Sequence, residues 1–185
     1  MRRFVLLFCL ILSISVNAQS KFEPQIKVSY ELGLDADANK SFGGEFIAGY
    51  RATEAFRIGV GLGIFWCEHL YTKAHYNKTI NYFEKEYRET ASYIPLFIDG
   101  KYNILTTGKW RPFVSANIGY AFFNAYSDYA KENSLGLYAK PSFGADCNLG
   151  KVDLTFEVGY KYQDRKFQGD GRGYSQLVVS IGCQF

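Results

Sequence analysis

Residues 176–185 read Gln-Leu-Val-Val-Ser-Ile-Gly-Cys-Gln-Phe. In an extended strand Leu177, Val179, Ile181, Cys183 and Phe185 share one face, and Gln176, Ser180, Gly182 and Gln184 share the other. The chain stops on the aromatic. A soluble domain gains little from such an ending. A strand that closes a barrel in a bilayer gains an apolar face against lipid and an aromatic in the interfacial belt.

Working back from this strand, period-two alternation marks seven more segments, giving strands over roughly 25–33, 42–51, 56–66, 92–102, 112–122, 135–147, 152–162 and 174–185. One face is apolar throughout. Ile58, Val60, Leu62, Ile64 and Trp66 carry it in the third strand, and Val114, Ala116, Ile118, Tyr120 and Phe122 in the fifth. The other face holds Lys27, Glu31, Glu45, Arg51, Arg57, Asp99, Lys101, Lys140, Asp146, Asp153, Glu157 and Lys161, six charges of each sign, among glycine, serine, asparagine and threonine. Volume assigns the faces, because the lumen of an eight-stranded barrel is only wide enough to be filled by side chains. Small and polar residues fit it, so the apolar face points outward, which only lipid tolerates. Acids and bases confined in that interior pair with one another, since an unpaired buried charge is very costly. The expected ion-pair network is Glu45, Arg57, Asp99, Lys101, Lys140, Glu157 and Lys161. Tyr50, Trp66, Tyr93, Tyr102, Trp110, Phe122, Tyr162 and Phe185 lie near strand ends, as an interfacial girdle requires.

The N-terminus reads as a leader. Arg2 and Arg3 precede an apolar run from Phe4 to Val16, and Val16-Asn17-Ala18 supplies small residues at a cleavage spacing. The run is short of the roughly 20 apolar residues of a spanning helix. The expected division is a signal peptide over 1–18, exported by the Sec route and cleaved near Ala18, and a barrel domain over 19–185. The chain has 21 basic and 18 acidic residues, and two of the basic ones are Arg2 and Arg3, so the mature chain is nearly neutral and nothing argues for nucleic acid. Cys67, Cys147 and Cys183 form no CxxC spacing, which excludes a disulfide framework and a zinc site. Cys147 and Cys183 read as free, lipid-facing thiols.

Short connections at 51–55, 103–111 and 148–151 alternate with mostly longer polar links around 34–41, 67–91, 123–134 and 163–173, as periplasmic turns alternate with extracellular loops. The longest link, 67–91, is aromatic and charged. Tyr71, His75, Tyr76, Tyr82 and Tyr87 form the candidate binding surface there, suited to an extracellular protein or glycan. The same composition fits two strands extending as a hairpin with aromatic cross-strand pairs. His69 and His75, the only histidines, read as solvated loop residues, since with Glu68 they lack a metal-ligand spacing. Ser92 and Glu89 are the nearest partners for acyl chemistry but form no recognisable nucleophile and base arrangement. Gly59-Val-Gly-Leu-Gly63 has a strict spacing of two and reads as an inward glycine stripe approached by side chains from the opposite wall, not a phosphate loop.

The leader, the stretch Ser92-Tyr-Ile-Pro-Leu-Phe97, the strand Pro112-Phe-Val-Ser-Ala-Asn-Ile-Gly-Tyr120 and the terminal Phe185 together resemble the small porin-family outer-membrane β-barrels of Gram-negative bacteria. The resemblance implies an all-β fold, an eight-stranded antiparallel up-and-down transmembrane β-barrel in the bacterial outer membrane. It also implies a terminal strand, ending in Phe185, that the barrel-assembly machinery reads, and outer-membrane lipids as partners. The expected function is non-enzymatic, in envelope structure or surface binding through the loops, with no cofactor and no metal. A narrow passive channel and a lipid-active enzyme are the alternatives. A soluble lipocalin-like barrel is the rival fold, echoed only by Gly108-Lys-Trp110.

Overall fold

The computed structural model describes residues 21–34, 40–74, 84–126, 131–167 and 170–185; the expected leader lies outside them. Eight strands follow in chain order: β1 (Phe22–Gly33), β2 (Ser41–Arg51), β3 (Phe56–Ala74), β4 (Glu84–Asn103), β5 (Trp110–Tyr126), β6 (Lys131–Asn148), β7 (Asp153–Phe167) and β8 (Asp170–Gln184). Each pairs antiparallel with its sequence neighbours, and β1 pairs with β8 to close the barrel. Closure leaves no unpaired edge, the condition a sheet must meet in lipid. In the closing ladder Ile26 faces Cys183, Val28 faces Ile181 and Tyr30 faces Val179, so the terminal strand continues the outer apolar face of β1.

Burial alternates as the sequence requires. Ile26, Val28, Tyr30 and Leu32 of β1 are exposed, whereas Gln25, Lys27, Ser29 and Glu31 between them are buried. The pattern is inside-out relative to a soluble protein, and the lipocalin-like alternative is excluded by it. Aromatics ring the outer wall at two levels. Tyr50, Tyr102, Trp110 and Phe185 lie at one end, and Trp66, Phe122 and Tyr162 toward the other, all exposed. Trp110 and Phe122 stand twelve residues apart on β5. At about 3.3 Å per residue and a strand tilt near 40°, that separation is roughly 30 Å along the barrel axis, close to the height of an outer-membrane apolar band. Ile98 and Ile118 are cross-strand partners between these levels, each 60 % exposed. Ile118→Arg is expected to destabilise the folded barrel by about 2–4 kcal/mol, read as a lower urea midpoint in phosphatidylcholine vesicles. An unchanged midpoint would mean that this face does not meet lipid.

Four sequence expectations need correction. First, the links expected to be long are mostly strand. β3 runs to Ala74 and β4 begins at Glu84, with Tyr71 opposite Tyr87 and Thr72 opposite Glu86, so the hairpin alternative holds for the described part of 67–91. Likewise β5 reaches Tyr126, β6 starts at Lys131, and β7 and β8 continue to Phe167 and from Asp170. Backbone ladders need no apolar face, so the alternation in hydropathy stops at the membrane edge while the hydrogen bonding continues. Among the described residues the two ends therefore differ in how far strands overhang the aromatic rings.

Second, the interior is not only small and polar. Phe65, Tyr93, Phe97, Phe113, Phe123 and Tyr138 are buried. Tyr93, expected in the girdle, belongs to this set. Third, the glycine stripe is covered by neighbouring strands instead of the opposite wall. Phe97 is the cross-strand partner of Gly61 on one side and Gly119 on the other. A Cβ at Gly61 would overlap the Phe97 ring, and one at Gly119 would overlap the backbone of Leu96 and Phe97. Fourth, Cys147 has the outward register but is only 7 % exposed. Its neighbour across the ladder is Trp110, whose ring tilts against Phe156 at 6.3 Å. Cys147 and Cys183 form no disulfide, as expected.

Candidate functional site

The barrel interior is a stack of three layers. At the turn end, Arg51 pairs with Glu23 and Arg111 with Asp153. Just above them Arg57 donates to Asp99 Oδ2 at 2.8 Å, to Gln25 Oε1 at 2.7 Å and to Gln184 Oε1 at 2.8 Å. Lys101 reaches the same Gln184 oxygen at 3.0 Å and pairs with Asp146 at 2.6 Å. The Thr155 hydroxyl donates to Asp146 Oδ1 at 2.8 Å and accepts from Gln25 Nε2 at 3.0 Å, which ties this layer into one network. The Lys101 ammonium also lies 4.1 Å from the centre of the Phe113 ring.

The middle layer is a square of two lysines and two glutamates. Lys140 donates to both oxygens of Glu45 at 2.8 Å and lies 3.7 Å from Glu157. Lys27 lies 3.0 Å from Glu157 and 3.5 Å from Glu45. Each ammonium therefore touches both carboxylates, and the square is neutral. All four side chains are shielded from solvent, where electrostatic attraction is much stronger than at a surface. The Tyr138 hydroxyl donates to Glu45 Oε1 at 3.2 Å, joining this layer to the one above.

The upper layer is aromatic with the ion pair of Lys161 and Glu31 set into it. Phe65 stacks on Tyr93 with ring centres 4.8 Å apart and planes within 3°. Phe97 stacks on Tyr138 at 5.5 Å. Ile47, Cys67, Ala121 and Phe123 complete the cluster. Lys161 donates to Glu31 Oε2 at 2.6 Å and to the Tyr93 hydroxyl oxygen at 2.7 Å, and that hydroxyl donates to the same Glu31 oxygen at 2.5 Å. The ammonium stands 4.4 Å from the Tyr93 ring centre, so the charge is met by a carboxylate, a hydroxyl and a π face.

The expected network of Glu45, Arg57, Asp99, Lys101, Lys140, Glu157 and Lys161 is thus brought together, although in two layers and part of a third. Lys27 and Glu31, on the charged face but outside that expected set, are direct partners within it. Glu23 and Arg111 were missed altogether. Both lie at strand ends, because β1 begins three residues and β5 two residues before the stretches marked by alternation. With them the described interior holds seven bases and seven acids, all joined by ion pairs.

Of the expected surface residues, His75, Tyr76 and Tyr82 lie outside the described residues, and Tyr71 and Tyr87 are cross-strand partners on β3 and β4. Ser92 pairs with Trp66, and Glu89 pairs with His69 three rows further along the same ladder. The arrangement therefore carries charge balance and steric filling, with the overhanging strands as the part left to meet other molecules.

Comparison with known proteins bears on this arrangement. A family model described as outer membrane protein beta-barrel domain matches residues 4–185. No curated protein matches the sequence. Among solved structures, the chain is similar to Neisserial surface protein A, at 14 % identity and a TM-score of 0.58, covering 88 % of this chain and 95 % of that one. It is also similar to the N-terminal β-barrel domain of Pseudomonas aeruginosa OprF, at 15 % identity and 0.48 over 88 % and 97 % of the two chains. Ail, the attachment invasion locus protein of Yersinia pestis, matches at 12 % identity and 0.47 over 89 % and 99 %. At these identities the first of them supports the fold and nothing finer.

Proposed function

The chain belongs to the outer membrane protein β-barrel domain family, and from that premise we propose that it is a sealed, non-enzymatic barrel of the bacterial outer membrane that acts in envelope structure or surface binding through its overhanging strands and their loops. The observation that carries this reading is the filled lumen. Lys27, Glu31, Glu45, Asp99, Lys101, Lys140, Glu157 and Lys161 are all buried and paired, and two stacks of rings fill the layer that holds Lys161 and Glu31. A conducting path would require these charges to part within a narrow, low-dielectric interior, which costs several kcal/mol for each ion left alone.

In this reading the turn end faces the periplasm and the overhanging end faces outward, since outer-membrane barrels extend less beyond the membrane on the periplasmic side. Tyr71, His75, Tyr76, Tyr82 and Tyr87 then lie on the outer side of the membrane, where aromatic, charge-rimmed surfaces suit protein or glycan contact.

A narrow passive channel is the second reading. It is favoured by polar atoms without hydrogen-bond partners along one wall: the Asn117 side-chain amide, the Ser115 and Ser142 hydroxyls and Asp99 Oδ1. These lie on the adjoining strands β4, β5 and β6, with Asp99 opposite Asn117 and Ser115 opposite Ser142. Liposome swelling with glycine and with glucose separates the two. The sealed barrel is expected to give swelling no faster than protein-free liposomes. Swelling that rises in proportion to incorporated protein would establish the channel.

A further inference from the structure

Two turns at the same end of the barrel share one design. Ile104-Leu-Thr-Thr-Gly-Lys109 joins β4 to β5, and Leu149-Gly-Lys-Val152 joins β6 to β7. The first has exposed Ile104 and Leu105 and the second exposed Leu149, and in each a glycine with positive φ then precedes an exposed lysine: Gly108 at 103° before Lys109, and Gly150 at 97° before Lys151. Only glycine adopts this left-handed backbone without strain, so the turns hold the two lysines by the same local geometry.

The turns are also fastened to each other. The amide of Asn148, the residue before the second turn, donates to the Lys109 carbonyl at 2.8 Å, and at the base of the first turn Ile104 donates to the Pro112 carbonyl at 2.8 Å. The Gly150 amide donates to Asn148 Oδ1 at 3.0 Å, which braces the second turn. The result is one platform carrying Ile104, Leu105, Leu149 and Trp110, all 55–62 % exposed, beside two ammonium groups. Neither turn contains an acid. The charged residues that follow these lysines in sequence, Arg111 and Asp153, point inward and pair with each other. The remaining turn, Ala52-Thr-Glu-Ala55, has the opposite charge and no large apolar residue, so the feature is not a general property of this rim.

We propose that the joined β4–β5 and β6–β7 turns form an interfacial binding site for the headgroup of an anionic glycerophospholipid, with Lys109 and Lys151 on the phosphate and Ile104, Leu105, Leu149 and Trp110 at the top of the acyl chains. Charge complementarity selects the occupant. Two lysines without an acid attract an anionic surface, and an aliphatic and indole platform at the girdle level belongs at the boundary of headgroup and chain. A soluble acidic partner would not account for four apolar residues at the height of the aromatic ring, whereas a lipid meets both requirements. Assigning this lipid to the periplasmic leaflet rests on the orientation given under the proposed function; the site itself does not.

The test is lipid retention. The protein is folded into vesicles of equimolar phosphatidylglycerol and phosphatidylcholine, extracted in mild detergent, and its co-purifying lipids are quantified by mass spectrometry. The native barrel is expected to retain phosphatidylglycerol over phosphatidylcholine. Lys109→Gln with Lys151→Gln is expected to lower that preference on the order of tenfold, and Lys109→Arg with Lys151→Arg to keep it. Lys40→Gln, which removes an exposed charge at the other end, serves as the control and leaves it unchanged. Heat-dependent mobility on gels confirms that each variant is folded. No preference in the native barrel, no loss in the double glutamine variant, or an equal loss with Lys40→Gln would overturn the site. Because the vesicles are symmetric, retention does not depend on orientation. Labelling of Lys151→Cys in intact cells with an impermeant maleimide reads orientation separately.

Discussion

Glu45→Ala is expected to destabilise the barrel by about 3–5 kcal/mol, the usual consequence of removing one partner from a buried ion pair. Glu45 holds Lys140 through both carboxylate oxygens and lies 3.5 Å from Lys27. Its loss leaves two ammoniums sharing Glu157 alone, an excess positive charge in a space closed to water. The cost comes from that excess more than from the lost contacts, and this gives the prediction a second arm. Glu45→Ala combined with Lys140→Met restores one base to one acid, so the double variant is expected to be more stable than the single one. Guanidinium denaturation in phosphatidylcholine vesicles, followed by tryptophan fluorescence, supplies the four corners of the double-mutant cycle. A single-variant loss below about 1 kcal/mol, the range of exposed ion pairs, would mean that water reaches this layer. Raising the salt concentration is expected to change the native midpoint little, because buried pairs are weakly screened.

Phe97→Ala is expected to cost about 3–5 kcal/mol as well, through a different mechanism. The ring is 2 % exposed, stacks on Tyr138 and lies across Gly61. Truncation leaves a cavity against a strand with no side chain of its own to fill it. The glycine supplies the diagnostic. In the native barrel Gly61→Ala forces its new methyl into the Phe97 ring, and overpacking of this kind costs about 1–3 kcal/mol. In the Phe97→Ala background the same methyl enters empty space and is expected to stabilise. The sign of the Gly61→Ala effect should therefore reverse between the two backgrounds, as measured by denaturation midpoints. A destabilisation of equal size in both would mean that the ring does not cover Gly61. Gly119→Ala is not expected to be rescued in this way, since its Cβ would meet backbone, which cannot withdraw.

These two predictions rest on features that were unequally visible in the sequence. The charges of the square could be placed inside from alternation alone, because Lys27, Glu45, Lys140 and Glu157 each sit between apolar neighbours on strands with a clear period of two. Phe97 could not. It lies in Tyr93-Ile-Pro-Leu-Phe-Ile98, which is apolar on both faces, so the contrast that separates inside from outside disappears. The same holds for Tyr120-Ala-Phe-Phe123 on β5. A signal was present, but on other strands: an inward ring needs glycine beside it, and Gly61 and Gly119 supply it. Using that signal requires the register, which alternation does not contain. The overhanging hairpin of β3 and β4 escaped for a related reason. Outside the membrane neither face must be apolar, so Glu68 to Lys73 and Lys85 to Thr90 read as a polar link although their backbones remain paired.

The number of strands, the face that meets lipid and the near-neutral charge of the interior were legible in the chain before any pairing was known. Each follows from local alternation and from the volume available inside eight strands, and both are properties that hold whatever the pairing. Which base meets which acid was decided only by the closed barrel. Lys27 pairs with Glu157 and Lys161 with Glu31, partners 130 residues apart, and Lys140 with Glu45, 95 apart. Closing the sheet, with its stagger between strands, sets which inward rows stand at the same height along the axis. Charges interact strongly only with what lies within a few ångströms in a dry interior, so that height selects the pairs.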